Sequence, residues 1–150
     1  MDTNELLMYM KNDVYITLMM GGVMAKDLLP NPTSNPKLFI LNLDKSNERG
    51  SHWIALLLSN NYISEYFDPL GHKPDIYIKQ YFNKHCIPYL VSTQQYQSPV
   101  SSSCGKFCLF YCYLRARGKT MQEIVQYFND NTLYNEVFID EFYNITSFTL

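Results

Sequence analysis

Two kinds of apolar patterning alternate along the chain: helical offsets near the ends, and short, nearly continuous apolar runs of strand length in the middle. Asn4 to Lys11 (NELLMYMK) reads as a short helix with Thr3 as its N-cap. Pro30, Pro32 and Pro36, with Asn31, Ser34 and Asn35, then make a turn-rich connector that no helix crosses. Lys37 to Leu43 (KLFILNL), His52 to Leu58 and Tyr62 to Phe67 read as strands, the last two joined through Ser59-Asn60-Asn61, where asparagine tolerates left-handed backbone. An antiparallel hairpin centred on Asn60 places His52 directly opposite Asp68.

Asp68-Pro69-Leu70-Gly71 ends that hairpin in a turn. A helix is predicted over Asp75 to Lys84, stopped by Pro88, then a strand over Tyr89 to Ser92. Gln94 to Ser103 is a polar loop with Pro99 and three consecutive serines. It leads into the longest helix, Cys104 to Arg115 (CGKFCLFYCYLR), which is apolar nearly all round and therefore buried. Thr120 with Glu123 is a capping box opening a helix over Met121 to Phe128, and Asn135 to Tyr143 closes the series. Strands in mid-chain and helices late predict an α+β fold, a mixed β-sheet packed against helices.

Composition narrows this picture. With 150 residues, the chain is expected to be one domain over 1–150, burying roughly two-thirds of its unfolded surface. The hydrophobic fraction of 47% excludes the disordered regime. A net charge of −2 supplies no basic field, so strong intrinsic nucleic-acid binding is not expected. The most apolar early stretch, Tyr15 to Ala25, is too short to span a bilayer and follows Asp2, Glu5 and Asp13. The expectation is a non-secreted, intracellular protein without a membrane partner. Four cysteines are too few for a disulfide scaffold. Cys104, Cys108 and Cys112 recur every four residues on one helix face and cannot close a tetrahedral metal site by themselves, so neither metal nor cofactor is predicted.

The chemistry lies around Cys104. A thiol attacks a carbonyl as thiolate, which a helix N-terminus favours, and the first-turn amide of Cys104 is free to donate to an oxyanion. Gly105 removes bulk beside it. Gln97, seven residues upstream, is the candidate second donor, in competition with Gln94 and Gln95. His52 is the candidate base and Asp68 the group that orients its imidazole, an Asx-turn role for Asp68 being compatible with this one. Trp53 serves core packing and closure of the site. His72 and His85 read as surface residues, Cys86 as an exposed thiol, and Ser103 lacks the G-x-S-x-G elbow of a serine nucleophile.

Three motifs, Gly50-Ser51-His52-Trp53, Phe67-Asp68-Pro69-Leu70-Gly71 and Gln97-Ser98-Pro99-Val100-Ser101-Ser102-Ser103-Cys104-Gly105-Lys106-Phe107-Cys108, resemble the adenovirus endopeptidase (adenain) family and its relatives in Maverick/Polinton-type transposons and related viruses. The wider superfamily includes the SUMO-deconjugating Ulp/SENP proteases. The resemblance covers residues 50 to 112. It implies a papain-like site with permuted chain order, with His52 as general base, Asp68 as acidic partner, Gln97 in the oxyanion hole and Cys104 as nucleophile. It also implies a cysteine endopeptidase working through a thioester on viral or transposon structural-protein precursors, near glycine-containing sites. Implied partners are a protein or peptide substrate and an activating peptide, and the implied setting is host nucleus, cytoplasm or virion. Asp68 stands where adenoviral members have Glu, as in the SUMO proteases, which keeps open an isopeptidase acting on a ubiquitin-like modifier. A catalytically silent binding module is the remaining alternative.

Overall fold

The computed structural model describes residues 1–48 and 52–147; Gly50 and Ser51 of the first motif lie outside the described residues. Among the described residues, five strands form one sheet in chain order, β1 to β5: Met20–Ala25, Lys37–Asn42, Trp53–Leu58, Ser64–Phe67 and Tyr89–Val91. The pairs β2–β3 and β3–β4 are antiparallel, whereas β1–β2 and β4–β5 are parallel, so the sheet is mixed. Side chains alternate between two cores, as the period of a strand requires. Leu38, Ile40, Ala55, Leu57 and Phe67 face one layer, and Phe39, Leu41, Ile54, Leu56, Leu58 and Tyr66 the other.

The second face is covered by α3, Ile76–Lys84, through Ile78 and Phe82. The first face takes α1 (Thr3–Asn12), α2 (Val14–Leu18), α4 (Cys104–Ala116), α5 (Met121–Val125) and α6 (Thr132–Ser147). The central helix α4 buries Phe107 through Cys112 between the sheet and α6, which is why its sequence is apolar all round. Its far half is tied to β4 by a partly buried ion pair. Glu65 accepts from Tyr111 Oη, from Arg115 Nε at 3.1 Å and from Arg115 Nη2 at 3.3 Å. The expected α+β architecture is the observed one.

Boundaries differ where tertiary contacts decide them. Asp2, not Thr3, caps α1: its carboxylate accepts from Glu5 N–H while Glu5 returns the bond to Asp2 N–H, starting the helix one residue earlier. The stretch Tyr15 to Ala25 contains most of α2 and all of β1. The helix after Thr120 ends at Val125 rather than Phe128, because the Phe128 ring is drawn into a cluster with Tyr96, Phe107 and Phe110. The last helix begins at Thr132, ahead of Asn135, and runs to Ser147.

The hairpin register also differs. Ala55 pairs with Phe67, Leu56 with Tyr66 and Leu57 with Glu65, so the ladder is centred on Asn61, and His52 is not directly opposite Asp68. The offset from the expected register is two residues. An even shift keeps every side chain on its original face, so His52 and Asp68 remain diagonal neighbours that can meet.

Helix α3 ends in a Schellman motif, with Cys86 N–H donating to Asn83 O and Ile87 N–H to Phe82 O. Cys86 holds φ at 54°, left-handed backbone in which its Cβ is crowded. Cys86→Gly is therefore expected to stabilise the fold by about 1 kcal/mol, read as a higher urea midpoint at unchanged slope. A lower midpoint would show that the exposed thiol makes a compensating contact.

Candidate active site

His52 immediately precedes β3, Asp68 immediately follows β4, and Cys104 opens α4, whose N-terminus reaches the same rim of the sheet. His52 Nε2 lies 2.7 Å from Asp68 Oδ1. An ionised carboxylate only accepts, so Nε2 carries the hydrogen, and the other ring nitrogen is left for Cys104, with which the imidazole is also hydrogen-bonded. Asp68 is fully buried. The same Oδ1 accepts from Leu70 N–H at 2.8 Å, closing an Asx turn, so one oxygen both shapes the turn and orients the ring. Asp68 N–H in turn donates to Ser92 Oγ on the β5 side at 3.1 Å.

The electrostatics of the pair run in opposite directions. Burial opposes charging of His52, but the hydrogen bonds to Asp68 and Cys104, with their charges, outweigh it and push the imidazole up from 6.5 to about 9. Burial likewise opposes the thiolate, but His52 and the backbone N–H groups of Trp53 and Gly105 hold the Cys104 thiol below its ordinary 9.0. Cys108 and Cys112, further along α4, have burial and no such partners, and their thiols are pushed up. The helix therefore carries one thiol shifted toward the thiolate and two shifted away from it. Among the described residues no side chain caps α4, so its first-turn amides face the nucleophile, Gly105 N–H already bonding the Cys104 sulfur.

Gln97 is buried, with Nε2 donating to Ser101 O at 3.0 Å. That bond uses one amide hydrogen and leaves the second. Gln97 Oε1 is buried without a partner among the described residues. The loop carrying Gln97 is built onto the acidic turn: Tyr96 N–H and Gln97 N–H both donate to Pro69 O, at 2.9 and 3.0 Å. Gly71 permits this close approach, because with φ at 75° a Cβ there would stand 2.7 Å from the Gln94 carbonyl carbon. On its outer side the loop is held by α6, where Ser98 N–H donates to Glu136 and Asn135 Nδ2 donates to Tyr96 O.

His52, Trp53, Gln97 and Cys104 line one open cleft of about 620 Å³, which Met1 to Thr3 bound on one side and Ala25, Asn42 and Asp44 to Ser46 on another. Trp53 packs on the core, the first of the roles expected of it, and lines the cleft, its Nε1 donating to Met1 O at 3.1 Å. Gly105 also serves packing: a Cβ there would meet Met1 and Leu6 at 3.3 Å, so glycine lets α1 close on α4. Gln94 and Gln95 do not line the cleft. His72 and Cys86 are exposed, and His85 rests against the Tyr81 ring. Sequence reading missed Asn42, Ser92, Asn135 and Glu136. An asparagine at an inward position of an amphipathic helix was the available signal for Asn135.

A thiol, an imidazole, a buried carboxylate and a carboxamide, in the chain order His, Asp, Gln, Cys on an α+β frame, are the groups from which a cysteine-peptidase site is built. Comparison narrows the class: the model of the adenovirus endoprotease family matches residues 31–138, and the chain belongs to that family. It is 32% identical over 89 residues to the protein named Protease of Bovine adenovirus 7, and 34% identical over 89 residues to that of Ovine adenovirus D serotype 7 (isolate OAV287). Each match covers 49% of this chain and 44% of the relative, so the chain spans less than half the length of these curated relatives. Among solved structures, the selenomethionine form of the ASFV pS273R protease aligns at a TM-score of 0.49 and 21% identity, covering 65% of this chain and 42% of that one. The central domain of the uncharacterized Lpg1148 protein from Legionella pneumophila aligns at a TM-score of 0.49 and 17% identity, covering 91% and 96%. Among the described residues no helix is long and apolar enough to cross a membrane.

Proposed function

We propose that this protein is a cysteine endopeptidase that hydrolyses peptide bonds through a thioester on Cys104. The observation that carries the reading is the single imidazole shared between a buried carboxylate and a thiol at an uncapped helix N-terminus. Cys104 thiolate attacks the scissile carbonyl carbon, and the Cys104 N–H and the second Gln97 amide hydrogen donate to the oxyanion that forms. The His52 imidazolium then gives its proton to the departing amine, leaving the acyl group on sulfur. Neutral His52 next takes a proton from water as that water attacks the thioester, releasing the acid and restoring the thiolate. Asp68 holds the ring through both half-reactions without being protonated. The family resemblance makes structural-protein precursors cut near glycine the substrates, in an intracellular or virion setting, with an activating peptide as a further partner. A strongly bound nucleic acid is not part of the proposal.

The test is mass-spectrometric mapping of slow iodoacetamide labelling at pH 6, in wild type and in His52→Ala. Alkylation is expected at Cys104 in preference to Cys86, Cys108 and Cys112, and this preference is lost in the variant. Reaction of Cys104 no faster than Cys86, or indifferent to His52, would overturn the reading.

A further inference from the structure

Asn42 ends β2 across from Trp53, one ladder position from His52, whose carbonyl accepts from Leu43 N–H. Only 7% of it is exposed, yet it lines the cleft that contains Cys104. Its carboxamide orientation is fixed by chemistry. Asp44 N–H is a donor, so the oxygen it meets at 2.9 Å is Oδ1, and the amide nitrogen is the other atom. Nδ2 thus carries two hydrogens with no acceptor among the described residues, and unlike Gln97 Oε1 it is not sealed from solvent. A nearly buried donor, locked in orientation and free of partners on the wall of a peptide-sized cleft, has what is needed to bind a backbone carbonyl. Ala25 beside it, its partner in the parallel ladder, adds no side chain that would obstruct an extended chain.

We propose that Asn42 Nδ2 binds a backbone carbonyl of the peptide substrate, fixing the chain on the cleft wall away from the nucleophile. The proposal rests on the peptidase reading for the identity of its ligand. It assigns Asn42 to substrate binding, whereas a purely local role would end with the Asx turn to Asp44. An aspartate keeps that turn, since its carboxylate accepts from Asp44 N–H equally well, but it has no hydrogen to donate. The two roles therefore separate in Asn42→Asp.

The probe is the peptide acetyl-Leu-Ala-Gly-Gly-amide, titrated by amide chemical shifts into the Cys104→Ala protein, where no turnover occurs. Asn42→Ala and Asn42→Asp, each made in that background, are expected to raise Kd by roughly three- to tenfold. Analogues with one backbone carbonyl reduced to methylene identify the acceptor. One of them should lose that same factor against the Asn42 protein and nothing further against Asn42→Ala. Unchanged β2 and β3 amide shifts in Asn42→Asp would show the turn intact. Wild-type Kd in Asn42→Asp, equal losses for every analogue, or no peptide-induced shift at the Asn42 side chain would overturn the assignment. Iodoacetamide labelling of Cys104 judges the peptidase reading separately, because that small reagent needs no peptide subsite: a failure there leaves the Kd comparison to decide Asn42.

Discussion

Asp68→Ala is expected to lower kcat/KM on a glycine-containing peptide by roughly 10²- to 10⁴-fold, whereas Asp68→Asn should cost only about tenfold. The inequality follows from the two bonds made by one oxygen. Asp68 Oδ1 accepts from His52 Nε2 and from Leu70 N–H. In the asparagine variant the Leu70 donor selects the carbonyl oxygen for that position, so an acceptor still faces Nε2–H and the imidazole keeps its tautomer. What is lost is charge. With the carboxylate present the imidazolium persists well above its ordinary 6.5 and is lost only as pH rises through about 9. The alkaline limb of kcat/KM in wild type is accordingly expected near that pH, a property of the His52–Cys104 pair rather than of one residue. It should move down in Asp68→Asn. Alanine removes charge and acceptor together and leaves the ring free to turn. Equal damage from both variants would show that the new amide flips and presents its nitrogen to the ring.

The contrast between what was legible and what was not has a physical pattern. LFIL within β2 and WIALLL in β3 are continuous apolar runs because both faces of these strands are covered, and such runs announce themselves. Tyr62 and Ile63 gave the same signal falsely: they are apolar but exposed, in the loop, and they drew the predicted strand two residues too early. The opposite failure is β1, whose MGGVMA sequence has little strand propensity and exists as a strand through parallel pairing with β2, a contact no local window contains. The same division runs through the site. Residue types and spacing singled out His52, Asp68, Gln97 and Cys104, and the structure brings His52, Gln97 and Cys104 to one cleft, with Asp68 buried and bonded to His52. Asn42 and Asn135 act through where their amides point. That depends on Asp44 in one case and on Tyr96 and Asn129 in the other.

Gln97→Leu is expected to lower kcat by roughly 10²- to 10³-fold while leaving iodoacetamide labelling of Cys104 within about twofold of wild type. The two reactions share the thiolate but not the transition state. Attack on a carbonyl creates an oxyanion that needs donors, whereas displacement of iodide from carbon creates none. A residue that merely supported the fold around Cys104 would depress both. Stability should not fall with activity. Gln97 keeps one buried oxygen without a partner, and such an atom costs about 1–3 kcal/mol. Leucine removes that atom, and the Ser101 carbonyl it releases lies in a half-buried loop where water can reach it. The thermal midpoint of Gln97→Leu is therefore expected to equal or exceed that of wild type. A carboxamide retained at a cost in stability, with a free hydrogen on a side chain that lines the nucleophile's cleft, is what an oxyanion donor held ready before substrate arrives should look like. Parallel losses of hydrolysis, labelling and thermal midpoint would instead make Gln97 a structural strut of the loop.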